Sequence, residues 1–180
     1  TFALTLLAVG ALTACSGSSS DVTPADSAGQ NPTGGINEAR WQDTDPVILI
    51  SFDGFRWDYI ERYRPPAFLE VVQRGVWADG SIPPFPSKTF PSHYSLATGL
   101  WADQHELTGN RFWDPSLDAG YDMSDRTVVE DGSWYAGEPI WVTAETQGMV
   151  AASFFFVGSE ADIGGVRPSH WRRFDGSVPG

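Results

Sequence analysis

Residues 47–52, Val-Ile-Leu-Ile-Ser-Phe, form a nearly continuous apolar run bounded by Pro46 on one side and Asp53-Gly54 on the other. A short run of this kind, lacking strict polar alternation, suits a strand covered on both faces, as in a parallel sheet. Such a sheet requires helices packed on both of its sides. The segments that follow supply them. Residues 66–74 read as a helix with Phe68, Leu69 and Val72 on one side and Gly75 as its stop, and residues 76–82 as a second strand. Residues 91–98 and 140–147 read as further helices, the latter ended by Gly148, and residues 149–157 as a third buried strand. The alternation predicts an α/β fold, an α/β/α sandwich around a mostly parallel sheet. Residues 113–135, rich in Asp, Gly and Ser, are expected to form an irregular loop or a short hairpin. No internal repeat interrupts this order, and the eight tryptophans are assigned to core packing and loop anchoring.

The 180-residue chain, 41% hydrophobic, has material for one domain, but its first forty residues do not read as core. Residues 2–14 are small and uncharged, shorter than the roughly 20 apolar residues of a membrane-spanning helix, and run into Leu12-Thr13-Ala14-Cys15. This is the pattern of a signal-peptide h-region. Leu-x-Ala-Cys resembles the bacterial lipobox, in which the cysteine becomes the lipidated first residue. Residues 1–15 are therefore expected to be a lipoprotein-type signal with Cys15 as the lipidation site, or an ordinary secretory signal carrying an incidental cysteine. Both readings place the protein outside the cytoplasm, and the first places it in a bacterial cell envelope on a lipid anchor. Residues 16–40 have the Ser/Gly/Pro/Asp composition of a flexible tether, and the folded unit is expected over 41–180. Cys15 is the single cysteine, so no disulfide forms within the chain. A net charge of −12, with 11 basic against 23 acidic residues, disfavours a groove that tracks a nucleic-acid polymer. A small anionic substrate would need cations to offset that field.

In open α/β sheets ligands gather beyond the carboxyl ends of strands, and Asp53 occupies such an end, with Gly54 permitting a tight turn. Asp-Gly after a strand is also a common turn. Thr89, in Pro86-Ser87-Lys88-Thr89-Phe90-Pro91-Ser92-His93-Tyr94, lies at a helix start, since Pro91 suits the first helical turn. Its hydroxyl is then either a plain N-cap or a nucleophile beside unpaired amide donors. A threonine hydroxyl is weak at neutral pH without a base or a metal. His93, one turn on, equally serves to cap or pack, which leaves a metal as the simpler activator.

Residues 50–56 (Ile-Ser-Phe-Asp-Gly-Phe-Arg), 85–91 (Phe-Pro-Ser-Lys-Thr-Phe-Pro), His93-Tyr94, Thr98-Gly99-Leu100, His105, Asn110 and Gly137-Glu138-Pro139-Ile140-Trp141 resemble, in the same order, the nucleotide pyrophosphatase/phosphodiesterase family of the alkaline phosphatase superfamily. The resemblance implies an alkaline phosphatase-like fold that hydrolyses nucleotide phosphodiester or pyrophosphate bonds with a pair of zinc ions. It implies that Asp53 and Thr89 are metal ligands, that Thr89 attacks phosphorus, and that Asn110 donates to a non-bridging phosphate oxygen. Read locally, Asn110 is a turn residue after Gly109. Phe90 and Phe174 match the positions of two aromatic faces that stack on a nucleobase, although many members carry Tyr at the second. By composition alone both are core candidates.

The chain departs from the family in having Ser92 where Asn is usual and Glu106 where Gly follows the His. Glu106 adds negative charge near a phosphate site or points to solvent. None of His93, His105 and His170 matches the family's further ligand motifs, and Asp53 and Thr89 cannot alone close a four-coordinate zinc site. The resemblance therefore implies further ligands beyond Gly180, a sheet incomplete at its C-terminal side, and an inactive polypeptide over 1–180 taken alone. The competing readings are a phosphomonoesterase or a lipid-headgroup phosphodiesterase of the same superfamily, or a lipid-anchored nucleotide-binding module without catalysis.

Overall fold

The computed structural model describes residues 4–8 and 35–177. The lipobox with Cys15 and residues 16–34 of the expected tether lie outside the described residues. Strand β1, Leu4–Ala8, falls within the expected signal h-region and pairs antiparallel with β2, Ile48–Phe52, with Leu4 opposite Phe52 and Ala8 opposite Ile48. An apolar extended segment can satisfy the backbone donors and acceptors along an otherwise open strand edge. The strand expected over 47–52 is present, but its burial differs from expectation. Ile48, Ile50 and Phe52 remain exposed on one face, because double-sided burial depends on neighbouring layers that the described residues do not place there.

After β2 the chain turns at Gly54, whose φ of 67° suits glycine, and forms α1, Tyr59–Tyr63, and α2, Pro66–Arg74. Helix α2 matches its expected bounds: Pro66 opens it, Gly75 follows it, and the Gly75 N–H donates to the Val71 carbonyl at 2.9 Å. Residues 76–82 are not a strand. Val76 and Ile82 are 97% and 96% exposed, and a segment interrupted by Asp79-Gly80 and followed by Pro83-Pro84 pairs with no ladder. Helix α3, Thr89–Thr98, comes next and ends at Gly99 with φ 71°. It is followed by the short α4, Ala102–His105.

Residues 111–122 form the hairpin that composition left as one of two options. Strand β3, Arg111–Asp114, pairs antiparallel with β4, Ala119–Asp122. The chain then passes through α5, Arg126–Val129, a 3-10 turn over Gly132–Trp134, and α6, Ile140–Thr146. Strand β5, Ala152–Phe154, lies parallel to β6, His170–Arg172. The described strands thus form three two-stranded sheets within a mixed α/β layout. None of the described helices is long and apolar enough to cross a membrane.

The core is largely aromatic and sits between α3, the hairpin and α6. Tyr94, Leu107, Tyr121, Trp134, Tyr135, Trp141 and Ile163 are buried in one cluster. Tyr94 meets Tyr135 edge-on at 5.3 Å, and Tyr121 meets Trp134 edge-on at 5.4 Å. Each such pair contributes about 0.5–1.5 kcal/mol beyond its buried area. The Tyr121 hydroxyl donates to the Tyr135 hydroxyl, which donates to the Val129 carbonyl, both at 2.9 Å. Burial, first of all, pushes the Tyr135 phenol up to about 12, so the relay stays protonated.

Three polar anchors organise this core. Asn37 Oδ1 accepts from the Val150 N–H at 2.6 Å, while Arg40 Nη2 and Trp41 Nε1 both donate to the Gln147 carbonyl at 2.7 Å. Asn37 and Arg40, expected in the tether, are thus fastened to the end of α6, where Arg40 shares the Gln147 carbonyl with Trp41 and puts a cation at the helix's negative pole. Glu145, fully buried on α6, accepts from the Ala151 N–H at 2.8 Å, the Ser169 N–H at 2.7 Å and the Ser169 hydroxyl at 2.9 Å. It holds α6 against the parallel pair. His105, also fully buried, has Nδ1 accepting from the Leu107 N–H at 3.2 Å and Nε2 2.8 Å from the Ser95 hydroxyl. An acceptor Nδ1 requires a neutral ring with its proton on Nε2. Burial, the largest influence, lowers the His105 pKa from its ordinary 6.5.

Two outcomes follow for stability. Glu145→Ala strands buried amide donors and should cost about 2–4 kcal/mol in urea unfolding, with Glu145→Gln recovering much of it. For His105, the unfolded chain takes up a proton near pH 6.5 that the folded chain refuses, so stability is full above that pH and falls as pH drops below it. Urea midpoints at pH 7.5 and 5.5 should show this fall, and His105→Asn, which keeps an acceptor but cannot titrate, should flatten it.

Candidate active site

Thr89 is the first residue of α3, and the N-cap position belongs to Lys88, which makes no side-chain cap. The Thr89 hydroxyl does not bond to its own helix. It donates to Asp53 Oδ2 at 3.1 Å across 36 residues of sequence. The plain N-cap reading of Thr89 therefore gives way to a tertiary contact between the end of β2 and the start of α3. The site is open: Asp53 is exposed and Thr89 half-buried, whereas Pro91, Ser92, His93 and Tyr94 behind it are buried.

Asn110 supplies the helix cap that Thr89 does not. Its Oδ1 accepts from the Phe90 N–H at 3.0 Å, satisfying one of the amides left over at the helix start. Only the oxygen of the amide can accept, so this bond directs the two Nδ2 hydrogens the other way, as donors. The hairpin fixes the residue from behind, with the Met123 N–H donating to the Asn110 carbonyl at 3.0 Å. Sequence position alone left Asn110 as a turn residue after Gly109. Its partner 20 residues earlier gives it a defined orientation beside Thr89.

His93 is placed as a packing residue. Its Nδ1 lies 2.8 Å from the Thr89 carbonyl, to which it must donate, and its ring meets Phe156 edge-on at 6.0 Å. It engages the backbone of Thr89 and not the hydroxyl, so it is not positioned as the base. Glu106 adopts φ 65°, a left-handed conformation in which glycine is most at ease, and its side chain is exposed.

The two aromatic candidates belong to different clusters. Phe90 packs against the core with its ring edge-on to Tyr121 at 6.1 Å. Phe174 is 62% exposed, meets Phe155 edge-on at 5.8 Å, and its N–H donates to Glu160 Oε1 at 2.8 Å. Sequence reasoning passed over Glu160. It is 4% exposed and paired with Arg126, and only its place in the fold distinguishes it from a surface acid.

Asp53 Oδ2 and Thr89 Oγ1 fit one edge of a cation site. Two oxygens bound to one tetrahedral zinc at about 2.0 Å stand about 3.3 Å apart, close to the observed 3.1 Å. Among the described residues no group of three or more His, Cys, Asp or Glu side chains could complete that donor set. Asp53 and Thr89 thus fit as part of a metal site.

Comparison with known proteins gives the family. The family model described as type I phosphodiesterase / nucleotide pyrophosphatase matches residues 47–180. Human ectonucleotide pyrophosphatase/phosphodiesterase family member 1 is 36% identical over 155 residues, covering 83% of this chain and 17% of that protein. A venom phosphodiesterase of Crotalus durissus collilineatus is 37% identical over 136 residues, 74% of this chain and 16% of that protein. The chain thus spans about a sixth of the length of these curated relatives. Among solved structures, murine ectonucleotide pyrophosphatase/phosphodiesterase 5 superposes with a TM-score of 0.67 at 30% identity, covering 71% of this chain and 34% of that one. An inactive threonine-to-alanine variant of the same murine protein, in complex with AMP, superposes with a TM-score of 0.66 at 29% identity. With its α/β fold shared and its motifs matched over residues 47–180, the chain belongs to the type I phosphodiesterase / nucleotide pyrophosphatase family.

Proposed function

We propose that this chain carries the nucleophile half of a hydrolase site that cleaves nucleotide phosphodiester or pyrophosphate bonds, with Thr89 as the nucleophile. The observation that carries the reading is a threonine hydroxyl at a helix start that donates to a carboxylate from a strand end, beside an amide whose N–H donors are aimed by its cap on the next residue. The murine relative that is inactive with a threonine replaced by alanine, and is seen with AMP, supports the same chemistry and a nucleotide ligand.

Asp53 draws the Thr89 hydrogen toward itself and leaves the oxygen lone pairs directed at an incoming phosphorus. A zinc ion held by Asp53, Thr89 and further ligands supplies, when bound, the positive charge that lets a hydroxyl lose its proton near neutral pH. The Thr89 hydroxyl gives up its proton to solvent and its oxygen bonds to phosphorus as the bond to the leaving oxygen, which takes a proton from solvent, breaks. A water oxygen then bonds to phosphorus as the Thr89 O–P bond breaks, and Thr89 is reprotonated as the nucleotide leaves. Asn110 donates from Nδ2 to a non-bridging oxygen as charge builds there. Phe90 and Phe174 offer aromatic faces to a base, a contact that tolerates any nucleobase. The complete site takes two zinc ions in this reading, and Cys15 carries a lipid that holds the domain at the outer side of a bacterial membrane.

In the full-length protein Thr89→Ala should abolish hydrolysis of a nitrophenyl nucleotide ester, and full retained turnover would sink the proposal. Asn110→Ala should lower kcat about a hundredfold to a thousandfold. Asn110→Asp keeps the cap on Phe90 but loses the donor, so it should lose similar activity while remaining more stable than the alanine variant. Equal activity of Asn110→Asp and the unaltered protein would remove Asn110 from the mechanism.

A further inference from the structure

We propose that Glu160 is a positioning residue for Phe174, governing how tightly a nucleobase is held and not how fast phosphorus reacts. The inference rests on the reading of Phe174 as a stacking face. Glu160 is 4% exposed, and a buried carboxylate persists only when its oxygens are engaged. Oε1 accepts the Phe174 N–H at 2.8 Å, and Oε2 is paired with Arg126 Nη2 on α5. Arg126 is itself held by Glu130 at 3.0 Å. The backbone of an aromatic side chain left 62% exposed is thereby tied, through one buried charge, to a helix packed on the core.

A second, independent feature bears on the same ring. Phe155, which meets Phe174 edge-on, has φ 60°, a conformation that a bulky side chain adopts only when its surroundings impose it. Its N–H donates at 3.0 Å to the carbonyl of Arg172, two residues before Phe174. One neighbour, with a strained backbone, meets the ring, and another, a buried charge, holds the backbone that carries it, although the ring itself contributes little to the core. This is the construction expected of a platform whose position matters to a ligand.

The test compares two diesters with the same leaving group in the full-length protein: the nitrophenyl ester of thymidine monophosphate, which carries a base, and methyl nitrophenyl phosphate, which does not. Glu160→Ala should lower kcat/KM for the first about tenfold, mainly through KM, and leave the second within about twofold. Glu160→Gln, which keeps the acceptor for the Phe174 N–H, should restore most of the loss. In a Phe174→Ala background, Glu160→Ala should add nothing further. Equal losses on both esters, or losses that add to those of Phe174→Ala, would overturn the proposal. AMP affinity separates this failure from that of the hydrolase reading. Affinity that falls with Glu160→Ala and recovers with Glu160→Gln supports the positioning role even if neither ester is cleaved, and unchanged affinity overturns it. Should Glu160→Ala fail to fold, Glu160→Asp, which keeps the charge beside Arg126 but draws the acceptor back from the Phe174 N–H, decides the question by the same base-selective loss or its absence.

Discussion

Helix α3 must leave its first side chain open to solvent while burying the four residues from Pro91 to Tyr94, and the rest of the structure is arranged around that demand. A buried helix start leaves amide donors without partners. Here the Asn110 side chain takes the Phe90 N–H, so Thr89 need not turn its hydroxyl inward and can bond to Asp53 instead. Asn110 is held by the hairpin of β3 and β4, the hairpin by the aromatic cluster, and the loop between α4 and the hairpin by the neutral ring of His105. Each layer fixes the next, and the outermost product is a hydroxyl beside a carboxylate with an amide donor directed alongside.

The parts of this arrangement that could be read from sequence are those set by local rules. Helix α2 was legible from its opening Pro66, its apolar spacing and Gly75. The C-terminal stop of α6 was legible from Gly148, which adopts φ 79°. The strand over 47–52 was legible from its apolar run, but its burial was not, since that depends on which layers lie beside it. Residues 76–82 show the limit of composition: the segment is apolar enough for a strand, yet Asp79-Gly80 and the following prolines deny it a ladder. The local reading left Thr89 and Asn110 split between cap, turn and chemistry, because the contacts that hold their side chains span 36 and 20 residues. Glu145 and Glu160 could not have been singled out, because a buried acid looks like a surface acid until its amide partners are known.

Charge links the fold to the proposed chemistry. A chain of net charge −12 repels a phosphodiester at distance, and the open corner at Asp53 adds a carboxylate where the anion would sit. Binding there calls for a cation between them, and the 3.1 Å separation of the two oxygens suits a shared ion. The same pressure favours the proposed aromatic faces, since stacking supplies attraction that does not depend on charge. The buried charge at Glu160 is then better understood as a fixture for Phe174 than as part of the phosphate site.

The central claim is that the Thr89 oxygen becomes bonded to phosphorus. The most direct measurement is mass spectrometry of peptides from the full-length protein, acid-quenched while turning over a nucleotide diester. A nucleotidyl group on Thr89 is the predicted result. Turnover captured with Thr89 unmodified and another residue carrying the group would contradict it.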